Sequence, residues 1–167
     1  MGGCSGPGSW VMLSYRLPRE PSTPRITIWR KLKRLGVAQI GDGVVALPAD
    51  ARTREQLEWI AEEITDAGGG ATVWLAQPTT AAAEKDLAAT MAAARAAEYT
   101  DVIAEAAAAS GTTDHERAGT ARRLRGELRR ISRRDYFPPP ERDIARLAVH
   151  NLTASDPEPA TRVTVQP

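Results

Sequence analysis

Trp10-Val11-Met12-Leu13-Ser14-Tyr15-Arg16-Leu17, closed by Pro18 and followed by the basic stretch from Pro24 to Gly36, decides how the rest of the chain is read. The first run is short, apolar and rich in aromatic and branched residues, the pattern of a strand covered on both faces and therefore central in its sheet. Pro18, Pro21 and Pro24 then punctuate a linker, and Thr23 before Pro24 fits an N-cap with proline at the first helical position. In the predicted helix Ile28, Leu32 and Leu35 recur at three- and four-residue steps, with Trp29 flanking the stripe. Arg30, Lys31, Lys33 and Arg34 lie around it, and Gly36 closes it.

Working outward, Val37 to Leu47 holds two apolar runs around Gly41-Asp42-Gly43, a turn chemistry that predicts a hairpin. Thr53 with Gln56 three residues later makes a capping-box pattern. Leu57, Ile60, Ala61 and Ile64 then form a helical stripe that stops at Gly68-Gly69-Gly70, and Ala71 to Ala76 reads as a further strand. The order strand, helix, strand, strand, helix, strand predicts an α+β fold with a ferredoxin-like βαββαβ core, two helices covering one face of an antiparallel sheet.

From Thr80 the pattern changes. Alanine dominates Ala81 to Ala109, making helix the default, with Leu87, Met91, Tyr99 and Val102 as a narrow apolar stripe. Thr113 with Glu116 is a second capping box, opening a helix expected through Arg134 with Ala121, Leu124, Leu128 and Ile131 as its seam. Asp135-Tyr136-Phe137-Pro138-Pro139-Pro140-Glu141 is a rigid connector, and a last helix is expected to about Leu152. The domain organisation predicted is a leader over 1–9, a ferredoxin-like core over 10–80, an α-helical C-terminal extension packed on the core over 81–155, and a loose tail over 156–167 in which Val163 to Val165 is a candidate edge strand.

The 167 residues are 42% hydrophobic and 26% charged, the composition of a globular chain. A net charge of +1 excludes a global field that would drive the whole chain onto nucleic acid or an anionic membrane. The single cysteine, Cys4, has no partner for a disulfide or a zinc cluster. The leader lacks a basic n-region and an apolar h-region, so a cytoplasmic protein without membrane contact is expected.

Two basic groupings carry possible chemistry. Arg16 and Arg19 at a strand end, with Arg25 in the first helical turn, are candidates to grip an oxyanion such as chromate or sulfate bidentately. The alternative for the same residues is a solvated face with ion pairs to groups such as Glu20. Arg122, Arg125, Arg129 and Arg133, spaced three and four apart, are candidates to follow a phosphate backbone, as are Arg30 and Lys31; such contacts reach DNA without reading bases. Their alternative is pairing with the acidic helix between Glu55 and Asp66. Trp59 falls off its helix's apolar stripe and is the interface candidate; the other tryptophans read as packing residues. His115 and His150 have no neighbours spaced as metal ligands or as a nucleophile and base, so no metal, cofactor or catalytic set is expected.

The segment from Trp10 to Gly36, the strand Gly43-Val44-Val45-Ala46-Leu47-Pro48 and the exit Arg133-Arg134-Asp135-Tyr136-Phe137-Pro138 together resemble the amino-terminal domain of the chromate-resistance ChrB family. That resemblance implies a chromate-resistance-associated transcription regulator or oxyanion-responsive accessory protein, non-catalytic, with DNA-binding as a family trait. The family's longer members carry a separate carboxy-terminal domain for which this chain has no room, so a stand-alone regulator is expected. The core is also similar to the middle domain of phenylacetate-pathway repressors and to the ferredoxin-like nucleases of CRISPR adaptation. The nucleases place a metal-binding aspartate where this chain has Tyr15-Arg16-Leu17. A homodimer is expected; the competing hypothesis is a ligand-free dimerisation or protein-interaction module, and the third is an oxyanion-handling enzyme.

Overall fold

The structure is a computed structural model, and it describes residues 8–154. Cys4 and Val163 to Val165 lie outside the described residues. The order of elements is β1 (Trp10–Arg16), α1 (Thr23–Leu35), β2 (Ala38–Gly41), β3 (Val44–Pro48), α2 (Ala51–Asp66), β4 (Gly70–Ala76), α3 (Ala81–Ala109), α4 (Asp114–Ser132) and α5 (Glu141–Ala154). The fold is thus mixed α+β, with a four-stranded sheet ordered β2-β3-β1-β4. Every neighbouring pair runs antiparallel. β1 is internal, as its continuous apolar run requires, with Leu13 opposite Val45 on one side and Val73 on the other.

The chain divides into two compact units. One holds the residues through Arg95 together with Arg133–Pro139; the other holds Ala96–Ser132 and the residues from Pro140 on. In the first, Val11, Leu13, Val45, Leu47, Leu57 and Ile64 are fully enclosed, joined by Ile28 and Leu32 of α1 and Met91 of α3. Strand alternation puts Trp10 on the sheet face opposite Val11 and Leu13. There it stacks on Phe137, whose neighbour Tyr136 packs on the same core. The expected seam Ala121, Leu124, Leu128, Ile131 is buried in the second unit, together with Tyr99, Val102, Ala145 and Val149. Among the described residues no helix is long and apolar enough to cross a membrane.

Local signals set the element boundaries, sometimes one pattern away from the expected one. α1 starts at Thr23 with Ser22 as N-cap in place of Thr23, and no side-chain cap bond forms. Gly36 ends it at φ 73, the left-handed conformation glycine adopts at least cost. α2 begins before Thr53: Asp50 accepts from the Thr53 amide at 2.7 Å, and the Thr53 hydroxyl accepts from the Asp50 amide at 2.9 Å. The box is therefore Asp50/Thr53 and not Thr53/Gln56, because the Thr53 hydroxyl also reaches the Pro48 carbonyl at 2.7 Å and is buried there. The Thr113/Glu116 box forms as expected, the carboxylate accepting from the Thr113 amide at 3.0 Å. α4 stops at Ser132, two residues before the expected Arg134, where the chain turns to carry Tyr136 and Phe137 to the first core.

Candidate functional site

The exit of β1 is where backbone turns crowd together. The Tyr15 amide donates to the Gly43 carbonyl at 2.7 Å, and Gly43 has φ 70. A Cβ on Gly43 would strike the Tyr15 carbonyl, and one on Gly69 would strike the Arg16 carbonyl. Glycine in the hairpin turn and in the α2–β4 turn lets both close on the same strand end. The space they border, with α1 as a wall, is an open cleft of about 1530 Å³ lying within the first unit.

The cleft is basic. Arg16, Arg19 and Arg25, the oxyanion candidates, all line it, with Arg30 and Lys33 beside them; the single carboxylate in the lining is Asp42. Helical spacing explains the α1 contribution, since Ser22, Arg25, Trp29 and Lys33 succeed one another at three- and four-residue steps on one face. Among the described residues no ion pair holds Arg16, Arg19, Arg25 or Arg30. Elsewhere cations are occupied: Lys31 bonds Glu63 at 2.5 Å, Arg54 bonds Glu58 at 2.7 Å, and Arg123 pairs with Glu105. The Tyr15 phenol is held above its ordinary pKa by burial, an effect that the nearby Arg25 charge opposes. Tyr15 thus lines the cationic cleft as a neutral phenol, within the field of the Arg25 charge.

Other candidate residues do not belong to the lining of this cleft. Arg122, Arg125 and Arg129 are exposed on α4 in the second unit, and Arg125 donates to the Thr153 hydroxyl at 2.8 Å. Arg133 follows the end of α4, and its carbonyl accepts from Arg52 at 3.1 Å, so the expected four-residue helical stripe has three members on the helix. Within the second unit Arg117, Arg123 and Arg130 of α4 pair with Asp114, Glu105 and Glu127. Trp59 is exposed, but so are Trp29 and Trp74; of the four tryptophans only Trp10 is buried. Trp29 is the residue the apolar reading of α1 missed, and its place four after Arg25 was the available signal. Among the described residues no cluster of His, Cys, Asp and Glu could hold a metal ion.

Residues 25–166 match the family model described as Protein ChrB, N-terminal. The chain belongs to the ChrB amino-terminal family. Arg25, Trp29, Arg30 and Lys33 fall inside that match, and Arg16 and Arg19 precede it. Protein ChrB of Cupriavidus metallidurans (strain CH34) is 28% identical over 134 residues, covering 78% of this chain and 41% of the relative. The chain therefore spans about two fifths of the length of that ChrB protein. No solved structure matches it.

Proposed function

We propose that this ChrB-family chain is a cytoplasmic, non-catalytic regulator associated with chromate resistance, and that its arginine cleft takes a tetrahedral oxyanion, chromate or sulfate. The observation that carries this is the concentration of Arg16, Arg19, Arg25 and Arg30 in one cleft without ion-pair partners among the described residues. Guanidinium forks bind oxyanions bidentately, and forks not already committed to carboxylates are available for that work. We read the fold as ferredoxin-like, on the βαββαβ order of the first unit and the internal position of β1 and β3.

The test is thermal unfolding with and without millimolar chromate or sulfate. A ligand that binds only the folded state raises the melting temperature. The rise should vanish in Arg16→Gln and Arg25→Gln; an unchanged melting temperature in the parent protein would sink the oxyanion reading.

A second reading, transcription regulation through DNA contact, is favoured by Arg122 and Arg129, exposed on α4 without acidic partners among the described residues. Such binding is electrostatic, and removing one arginine that neutralises a phosphate should lower the salt slope by about 0.9. If Arg122→Gln and Arg129→Gln leave promoter-DNA affinity and its salt slope unchanged, α4 does not touch the DNA. Homodimerisation is checked by sedimentation.

A further inference from the structure

A tetrahedral dianion engages two or three guanidinium forks, whereas this cleft of about 1530 Å³ presents four arginines, a lysine and an aromatic wall. Its volume exceeds the roughly 300–1,000 Å³ that encloses a drug-sized ligand. The surplus is not featureless. Trp29 keeps 55% of its surface exposed inside a cleft it shares with Arg25, one helical turn before it, and Lys33, one turn after. Side chains four apart on a helix have Cβ atoms roughly 5–6 Å apart. The indole is thus flanked by cations, and the Lys33 ammonium lies 5.5 Å from its ring centroid.

The hairpin side offers acceptors instead. The Gln39 amide nitrogen donates to the Gly41 carbonyl at 2.5 Å, which fixes the side chain and leaves its Oε1 as an acceptor. Asp42 beside it is the cleft's carboxylate and has no ion pair among the described residues. Gly68, Gly69 and Gly70 supply a stretch of wall without side chains. Cations for phosphate, an exposed indole for a flat ring and fixed acceptors for exocyclic amines or sugar hydroxyls are the three requirements of one kind of ligand.

We propose that the cleft binds a nucleotide unit, with its phosphates on Arg16, Arg19, Arg25 and Arg30 and its base stacked on Trp29. This rests on the reading of the cleft as an anion site and names the larger anion it accommodates. The unit comes either from a free nucleotide or from an unpaired stretch of nucleic acid, which share this chemistry.

The experiment is calorimetric titration of the full chain with ADP, with pyrophosphate as the base-free control, and with a ten-nucleotide single strand against an abasic strand of equal length. Base–aromatic stacking predicts binding roughly tenfold tighter for the base-bearing member of at least one pair. Trp29→Leu should remove that advantage while pyrophosphate affinity stays within about twofold, and Trp29→Phe should keep most of it. Arg25→Gln should weaken both members of the pair alike. A preference confined to ADP identifies a free nucleotide, and one confined to the strand identifies nucleic acid. Equal affinity within both pairs, a base preference that survives Trp29→Leu, or no binding by any probe overturns the inference. Chromate titrated in parallel separates the two readings, because chromate binding without a base preference leaves the oxyanion site standing and removes the nucleotide.

Discussion

The indole of Trp10 stacks on the phenyl ring of Phe137, with centroids 6.0 Å apart and planes inclined by 26°. The first strand and the proline-rich connector, remote in sequence, thereby share one core, and the Trp10 Nε1 donates to Glu84 of α3 at 3.3 Å. Phe137→Ala should cost about 1–3 kcal/mol, below the figure for a fully enclosed phenylalanine because Phe137 is half-buried. Urea unfolding measures the loss, and tryptophan emission should shift to the red as Trp10 gains water.

Gly43 combines φ 70 with a hydrogen-bonded approach to Tyr15. Gly43→Ala should destabilise by about 1–3 kcal/mol, since the new methyl meets the Tyr15 carbonyl in a conformation that L side chains rarely adopt. Gly41→Ala, where a Cβ meets nothing and φ is not positive, is the control and should cost far less in the same denaturant titration.

Burial raises the pKa of both Tyr15 and Tyr136. The unfolded chain then releases these protons first, so it binds fewer protons than the folded chain as the pH passes the ordinary tyrosine value of 10.0. The contribution is fully present below that value and is lost as pH rises through the higher folded values. Melting temperature should therefore fall on the alkaline side, and more shallowly in a Tyr15→Phe, Tyr136→Phe double variant.

The sign is opposite at Glu116, whose carboxyl is held below its ordinary value by hydrogen bonds from the Thr113 hydroxyl and amide. That contribution is present above the unfolded value of 4.5 and disappears as pH drops through the depressed folded value. Amide exchange in the first turn of α4 should quicken relative to the other helices on acidification, and Thr113→Val with Glu116→Gln should abolish the pH dependence.

Most of the element order was legible because each boundary carries strong local chemistry: Pro18 after β1, glycine at 36 and 43, Thr113 with Glu116 before α4. The errors came where two local patterns overlap. Asp50-x-x-Thr53 and Thr53-x-x-Gln56 are both capping boxes on paper, and the Pro48 carbonyl, a tertiary partner, selects the first. In α3 the apolar reading leaps from Met91 to Tyr99, passing over Arg95, which lies one turn from each and is buried against the loop at Gly36. Charge hid a position whose periodicity was perfect.

The site was half legible. Arg16, Arg19 and Arg25 could be grouped from their places at a strand end and a helix start, and all three line the cleft. The exposure of Trp29 could not, because residue type argues for burial while only the sheet's packing on Ile28 and Leu32 decides which way the helix turns.

Gathering Arg16, Arg19, Arg25 and Arg30 around one opening with Asp42 as the lone lining carboxylate also makes ionic strength a local reporter. Charges of one sign closer than the Debye length, about 10 Å at 0.1 M salt, repel until mobile counterions screen them. Along α4, by contrast, Arg117, Arg123 and Arg130 each lean on a carboxylate, and the same ions weaken those attachments. With the cleft empty, added sodium chloride therefore relieves the repulsion around this opening while loosening those three α4 pairs, so the two sets of charges respond to salt with opposite sign.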